Sequence, residues 1–314
     1  MKKGKIKMEE LISVIMSVYN ETESDLSQSI QSILKQTYKN IEFIIVDDNP
    51  ENNRIKEILL QQTDPRIKII YNKKNMGLVY SLNEALKHAN GKFIARMDAD
   101  DVSVKNRIEN EYKYLTKQKL DLVGTWNELI DDQNKSIGKI KFPTTTTGII
   151  KQIRFGGCMA HPTWFGKYEV FSSLNGYREI SYCEDYDFLL RAINKGYKLA
   201  NVPYYGLNYR IRKNGISLSN KNKQIVIMRF LAHNRMNIDL VTEKILEEYK
   251  ESLKYKNELL QLREYEMSKE GLHNHQFGAI IQVLKNKNLY KYLYEKFISA
   301  IYRKLYVGKD YDGC

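Results

Sequence analysis

Three carboxylates fall within four positions at Asp98-Ala99-Asp100-Asp101, directly after the apolar residues Phe93, Ile94 and Met97. Carboxylates this close repel one another unless a cation joins them, and a hard divalent metal ion is the usual partner. The alternative is an acidic turn that caps the next helix. Phe93, Ile94 and Met97 suit a buried strand, which puts the acids at its carboxyl end, where open α/β sheets bind ligands. Two other acidic pairs stand out. Asp47-Asp48 follows the apolar run Phe43–Val46, and Glu184-Asp185 precedes a helical pattern, where the helix dipole itself favours carboxylates.

The elements that would position these groups are legible upstream. Residues 11–18 form an apolar run ending at Tyr19-Asn20-Glu21, and Leu26, Ile30, Ile33 and Leu34 then recur at helical spacing. The run 43–46 follows, then a helix marked by Ile55, Ile58 and Leu59, and a strand over 67–71. Leu78, Leu82, Ala85, Leu86 and Ala89 predict a third helix, stopped by Asn90-Gly91 before the strand 92–97. This β-α-β-α-β-α-β order predicts a mostly parallel sheet with helices on its faces. Three of its four strand ends carry ligand-type residues: Tyr19, Asp47-Asp48 and Asp98–Asp101.

Beyond it, a helix with Ile108, Tyr112 and Leu115 is expected, then strands 122–126 and 136–142 joined across Asp131-Asp132-Gln133-Asn134. Residues 143–176 read as irregular, 186–194 as a helix, and a strand or two reach Arg212. From about residue 219 Lys, Glu, Leu and Tyr dominate at helical spacing, so 219–314 is expected to be a helical extension. Its end interleaves Lys285, Lys287, Lys291, Lys296, Arg303 and Lys304 with Leu289, Tyr290, Leu293, Tyr294, Phe297, Ile298, Ile301 and Leu305. Such a basic, aromatic-rich amphipathic helix suits an anionic membrane surface; the alternatives are packing on its own domain or on a second copy in a homodimer.

The 314 residues carry 42% apolar and 28% charged side chains, ordinary values for a soluble globular chain with room for one large or two modest domains. A net charge of +12 implies an anionic partner. Nucleic acid is not expected: no Arg/Lys–aromatic module appears, and the strand-end acids would repel phosphates. Cys158, Cys183 and Cys314 are odd in number and widely spaced, which fits a reducing compartment and argues against a disulfide framework or zinc site. The basic start Met1-Lys2-Lys3-Gly4-Lys5 lacks a following signal-peptide core, and no run approaches the ~20 apolar residues of a membrane span. A cytoplasmic protein, peripheral on the inner membrane face if the tail binds lipid, is the expectation. A Rossmann dehydrogenase is excluded because no Gly-x-Gly-x-x-Gly follows the first strand.

Several motifs occur in a telling order: Ser13–Asn20; Val46-Asp47-Asp48; Asn75-Met76-Gly77-Leu78 with Ser81-Leu82-Asn83; Ala95–Asp101; His161-Pro162-Thr163; Gly176–Glu179; Glu184–Asp187; and Tyr209–Arg212 with Ser217 beyond. Over about 11–217 the chain resembles the inverting family 2 glycosyltransferases of the GT-A fold, in the branch that builds bacterial capsule, exopolysaccharide and O-antigen units. The resemblance implies an α/β fold: a Rossmann-like, mostly parallel mixed sheet flanked by helices. It implies a GT-A domain over 1–218, with a nucleotide-binding half at about 11–102 and an acceptor half at 103–218, followed by the helical extension.

The resemblance also implies roles. Ser17, Tyr19, Glu21, Asp48, Asn75, Gly77, Asn83, Arg96, Asp98, Ala99, Asp100, Arg210 and Arg212 would surround the nucleotide sugar. Tyr19 would stack on the base and Asp48 would accept its N–H, which favours uracil. Asp47 would cap its own turn. Asp100 would bind Mn2+ or Mg2+ across the donor diphosphate, and Asp98 would reach the ribose or a metal-bound water. Asp101 is expected to cap the next helix. Asp185 would be the catalytic base, with Glu184 as its understudy and Asp187 structural. His161 and Trp164 fall on the acceptor side. Arg212 stands where many relatives place a His that in some GT-A enzymes completes the metal site; an arginine cannot ligate a metal and would instead assist the leaving group. The implied reaction moves a hexose (Gal, Glc, GalNAc or GlcNAc), from a UDP-sugar for preference, to a lipid-diphosphate-linked glycan or alternatively a protein-linked one. A nucleotide-sugar binder without activity is disfavoured by the joint presence of Asp98, Asp100 and Asp185.

Overall fold

Alternation along the first two strands explains the layering. On β1 (Ile12–Val18), Val14, Met16 and Val18 point to one face and Ile15 to the other; on β2 (Ile41–Asp47), Phe43 and Ile45 oppose Ile44 and Val46. Both faces are buried, which is why these strands read as continuous apolar runs. The computed structural model describes residues 10–212, 220–273 and 287–308.

Between these strands lies α1 (Glu23–Leu34), capped by Thr22, and after them come α2 (Asn53–Leu60), β3 (Ile67–Tyr71), α3 (Leu78–Lys87) and β4 (Phe93–Arg96). β5 (Val102–Ser103), α4 (Arg107–Gln118), β6 (Leu122–Ile130) and β7 (Ser136–Ile140) follow. Then come α5 (Thr146–Gln152), β8 (Phe165–Lys167), α6 (Tyr168–Ser173), α7 (Glu184–Asn194) and β9 (Leu199–Arg210). The described C-terminal residues form α8 (Lys221–His233), α9 (Glu243–Glu251), α10 (Leu253–His273) and α11 (Lys287–Leu305).

The sheet runs β3-β2-β1-β4-β8-β6-β9-β5, with β7 paired to β6. Its first four strands are parallel, as the β-α repeat predicts, and Val18 pairs with Asp47 while Ile15 pairs with Arg96. The polar ends of β1, β2 and β4 therefore share one edge. β8 then inserts antiparallel to both β4 and β6 and makes the sheet mixed.

This strand corrects the expectation that 143–176 is irregular. The segment holds α5, β8 and α6, elements of seven, three and six residues. Elements so short have too few residues to display a period, and their conformation comes from the neighbours they pair with. Two boundaries also differ: β6 continues to Ile130, and α7 begins at Glu184.

Helices α1, α2 and α4 cover one face, with Leu26, Ile30, Ile55, Leu59, Ile108 and Leu115 in its core. α3 and α7 cover the other. The helical tail joins that second core through Val226, Leu231, Leu246, Tyr249 and Leu262. Among the described residues, no helix is long and apolar enough to cross a membrane. Ser217, Lys285, Cys314 and the basic N-terminal residues lie outside the described residues, as do the side chains of Lys287, Leu289, Tyr290, Lys291, Leu293 and Arg303. Cys158 and Cys183 are buried free thiols.

Candidate active site

The site is built around the end of β4. Arg96 is 2% exposed and ion-pairs with Asp98, while its Nε meets no acceptor among the described residues. The Asp98 carbonyl accepts a hydrogen bond from Ser29 Oγ at 2.8 Å, which fixes the acidic loop to α1. Carboxylate oxygens of Asp98, Asp100 and Asp101 lie within 4.8 Å of one another. Burial, reinforced by Asp98, pushes Asp100 up to about 6 and raises Asp101 well above the usual carboxylate range. Three hard oxygen donors at this separation, one of them the buried and unpartnered Asp101 Oδ2, suit a hard divalent cation.

Asp101 does not cap the next helix, as was expected. Its Oδ1 accepts from Arg210 N at 2.8 Å, and α4 starts only at Arg107 after Asn106. The pairing of β5 with β9 draws the loop away from the helix and hands Asp101 to β9 instead.

Arg210 is also corrected. Its side chain is fully buried, and it donates to the Asp100 carbonyl (2.8 Å), the Asp131 carbonyl (2.9 Å) and Asn134 Oδ1 (2.8 Å). Bonded to the acidic loop and the β6–β7 turn, it supports the site from behind. Arg212 also reaches the cluster: its Nε lies 3.3 Å from Asp100 Oδ2 and its Nη2 2.6 Å from Asp25 Oδ2. Asp25, in the first turn of α1, escapes sequence reasoning. Thr22-Glu23-Ser24-Asp25 reads as a helix cap, which it is, since Thr22 Oγ1 accepts from Asp25 N at 3.2 Å. The same carboxylate pairs with Arg210 and Arg212.

On the β1 and β2 side, Tyr19 is 46% exposed and its N–H donates to Glu21 Oε2 at 2.9 Å. Burial, with the charges of Asp100 and Asp98, raises Glu21 to about 7. Ser17 is half-buried on the last turn of pairing, opposite Val46. Asp47 caps its turn by accepting from Asn49 N at 2.9 Å. Asp48 holds the next loop: Oδ1 accepts from Asn72 Nδ2 and Met76 N, both 2.7 Å, and Oδ2 from Gly77 N at 2.8 Å. Asn75 Oδ1 shares that Gly77 N–H at 3.1 Å, and Gly77 itself has φ +89°, a conformation that favours glycine. Each Asp48 oxygen can accept two hydrogen bonds, so Oδ2 keeps one position for a ligand donor.

Two expected donor contacts have other tasks. Asn83 spends its amide on Tyr177, accepting from its N–H at 2.8 Å and donating to its carbonyl at 2.9 Å, and so ties α3 to the turn before α7. Gly176 is glycine there because a Cβ would strike Asn83 Oδ1 and because its φ is +69°. Ala99 is 3% exposed and packs in the core, which leaves only its backbone for a ligand.

The two residues expected on the acceptor side are both buried. Trp164 is fully buried, packed on His161 (4.6 Å between centroids) and Phe188 (5.3 Å), with no hydrogen-bond partner for Nε1 among the described residues. His161 is 8% exposed and its Nε2 lies 2.9 Å from Tyr177 Oη. Burial and the Arg96 charge hold it well below the usual histidine range, so it stays neutral. The pair forms a wall behind Arg96, and Arg107 braces that wall by donating to the Pro162 and Arg96 carbonyls at 2.8 and 3.1 Å.

Glu184 and Asp185 occupy the first turn of α7. Asp185 Oδ1 accepts from Tyr186 N at 2.7 Å. Burial and the Asp185 charge raise Glu184 to about 8; burial also raises Asp185, against the pull of the Tyr186 N–H and Arg96. Both carboxylates feel Arg96 and Asp98, so the end of β4 and the start of α7 form one electrostatic unit. Asp187 points away into the core, bridging Arg178 and Arg191, and is structural as expected.

A mixed sheet whose carboxyl edge gathers an acidic cluster able to hold a metal ion, with a second carboxylate pair in the same electrostatic unit, suits a GT-A type glycosyltransferase. The family model described as "Glycosyl transferase family 2" matches residues 13–174, and the chain belongs to that family. It is 37% identical over 206 residues to the O-antigen biosynthesis glycosyltransferase WbnJ of Escherichia coli, covering 64% of this chain and 80% of that one. It is 38% identical over 138 residues to the E. coli UDP-Glc:alpha-D-GlcNAc-diphosphoundecaprenol beta-1,3-glucosyltransferase WfgD, covering 44% and 53%. Among solved structures, the mannosyltransferase PcManGT of Pyrobaculum calidifontis, in complex with GDP-Man and Mn2+, superposes with a TM-score of 0.57 at 14% identity over 94% of this chain and 86% of that one. The chain is a glycosyltransferase of the bacterial surface-glycan branch with the GT-A fold.

Proposed function

We propose that this enzyme is an inverting hexosyltransferase that moves a sugar from a UDP-linked donor to a hydroxyl of a lipid-diphosphate-linked glycan at the cytoplasmic face of a membrane. The observation that carries the proposal is the meeting of Asp98, Asp100 and Asp101 with Glu184 and Asp185 across the buried Arg96. Asp100 and Asp98 would hold Mn2+ or Mg2+, which supplies charge neutralisation at the leaving diphosphate. Arg212 adds a positive charge beside Asp100. Tyr19 offers an exposed ring to the base, and Asp48 and Gly77 shape the loop beneath it.

Two neighbouring carboxylates divide the proton work. Glu184, held up to about 8, keeps its proton at neutral pH and can donate a hydrogen bond to a sugar hydroxyl. Asp185, whose rise on burial is opposed by the Tyr186 N–H and by Arg96, accepts the proton of the acceptor hydroxyl. The acceptor oxygen attacks the anomeric carbon from the face opposite the diphosphate, the glycosidic C–O bond forms, and the nucleoside diphosphate departs with the electron pair of the broken bond.

WfgD is named for a UDP-glucose donor and a diphosphoundecaprenol acceptor, which supports both choices; PcManGT carries GDP-mannose, so GDP-sugars belong in the test. A protein-linked glycan is the alternative acceptor. The experiment is a donor screen with purified protein, Mn2+ and a panel of UDP-, GDP- and dTDP-sugars, read as nucleotide release. Release from one UDP-sugar, abolished by EDTA and by Asp100→Asn, is the expected result. Absence of both turnover and thermal stabilisation by any nucleotide would overturn the proposal.

A further inference from the structure

A cavity of about 740 Å³ opens between β7 and α11, well inside the size range of ligand sites. Four lysines line it, Lys139 and Lys141 from β7 and its exit, Lys296 and Lys304 from α11, and no carboxylate does among the described residues. Lys141 Nζ sits 4.2 Å from the Trp126 ring centre and Lys139 Nζ 4.9 Å from that of Tyr205, so the aromatic rings hold two of the ammonium groups in place. The floor is apolar, with Ile140, Phe155 and Val307. Four lysines around one apolar hollow give it a positive lining, which attracts anions.

The helix that forms one wall has a second property. α11 is anchored to the body by Tyr302 on Phe155 (5.7 Å), Ser299 Oγ accepting from Gln152 Nε2 (2.7 Å) and Glu295 paired with Arg229 (2.8 Å). Tyr294, Phe297 and Leu305 remain 62%, 63% and 68% exposed, and their spacing with the half-buried Ile301 makes one apolar stripe beside Lys304. An apolar stripe flanked by a lysine-lined hollow matches a surface that offers acyl chains and phosphates together.

We propose that α11 and this cavity dock the protein on an anionic bilayer, the stripe entering the acyl boundary and the lysines taking a lipid head-group phosphate. Aromatic residues at the water–lipid boundary and lysines over anionic head groups are the two contributions such docking needs, and both lie on one helix.

The test is co-sedimentation of the full chain with vesicles of phosphatidylcholine, with and without phosphatidylglycerol. Binding to the phosphatidylglycerol vesicles alone is expected, weakening as salt is raised. Each lysine near an anionic surface contributes about fivefold, so Lys296→Ala with Lys304→Ala should weaken binding about 25-fold. Phe297→Ser should weaken it as well. Wild-type protein that ignores anionic vesicles would overturn the proposal, as would a folded double variant that binds them unchanged. Thermal stabilisation by inorganic pyrophosphate through Lys296 and Lys304, without vesicle binding, would assign the cavity to a soluble anion and also overturn it. The salt dependence of the wild type needs no variant to fold. Neither donor nor acceptor enters the assay, so its failure leaves the transferase proposal standing.

Discussion

Arg212 Nη2 lies 2.6 Å from Asp25 Oδ2, so a residue of the first helix sets the position of a cation at the far end of the last strand. The same guanidinium reaches Asp100 at 3.3 Å. Replacing Arg212 by Ala should lower nucleotide release from the donor about tenfold or more while leaving the fold intact, since the side chain is partly exposed. Asp25→Asn should lower it in the same direction by a smaller factor, because Arg212 keeps its charge and loses only its anchor. Unchanged turnover in Arg212→Ala would remove the leaving-group role.

Asp185→Asn should reduce turnover by about 10²–10⁴-fold and leave nucleotide affinity intact, as expected of a group that acts only on the acceptor proton. Glu184→Gln, which preserves a hydrogen-bond donor in place of the protonated carboxyl, should be milder. Steady-state kinetics beside calorimetric nucleotide binding separate the two. A larger loss in Glu184→Gln than in Asp185→Asn would exchange their roles.

Glu111 is fully buried, 3.7 Å from Arg107, and burial raises it to about 8. Its carboxyl holds the proton more tightly in the folded chain than in the unfolded one, whose value is near 4.5. Its favourable contribution is therefore complete below about 4.5 and is lost as pH rises through about 8. Thermal unfolding followed from pH 5 to 9 should fall less steeply in Glu111→Gln, whose amide keeps the shape and cannot ionise. An unaltered slope would mean that Glu111 is ionised throughout.

Asn83→Ala removes two hydrogen bonds to the Tyr177 backbone. A loss of about 1–3 kcal/mol in stability is expected, because the Tyr177 groups lose their partner. Donor KM measured well below the new Tm should stay within about twofold of the wild type. A raised KM with unchanged stability would return Asn83 to the donor pocket.

The nucleotide-side strands were legible because burial on both faces leaves continuous apolar runs, and a polar residue at the end of such a run marks the functional edge of the sheet. The clustering of Asp98 with Asp100, and the place of Asp185 at a helix start, were legible for a different reason: a motif in order names a residue whatever surrounds it. A motif does not say which way a side chain faces. Trp164 follows one motif and Arg210 sits in another, yet both turn inward, and their burial depends on β8 and on the β6–β7 turn, contacts made between residues far apart in the chain. Asp25 was hidden because the pattern that explains it as a cap is complete without Arg212. Sequence periodicity reports faces of elements; it carries no signal for a carboxylate that serves two neighbours at once.

Asp101 receives its hydrogen bond from Arg210, 109 positions later in the chain. The acidic loop leaves the ribosome long before Arg210 and Arg212, so Asp101 must wait for its partner until β9 is made. Closing so long a loop is slow, since its entropy is spent before the contact rewards it. The parallel strands can gather their helices early, but the acidic loop takes its final place only when the last strand docks. A chain interrupted before residue 210 would hold most of the sheet and all of its acidic residues, without the strand end that holds Asp101 in place.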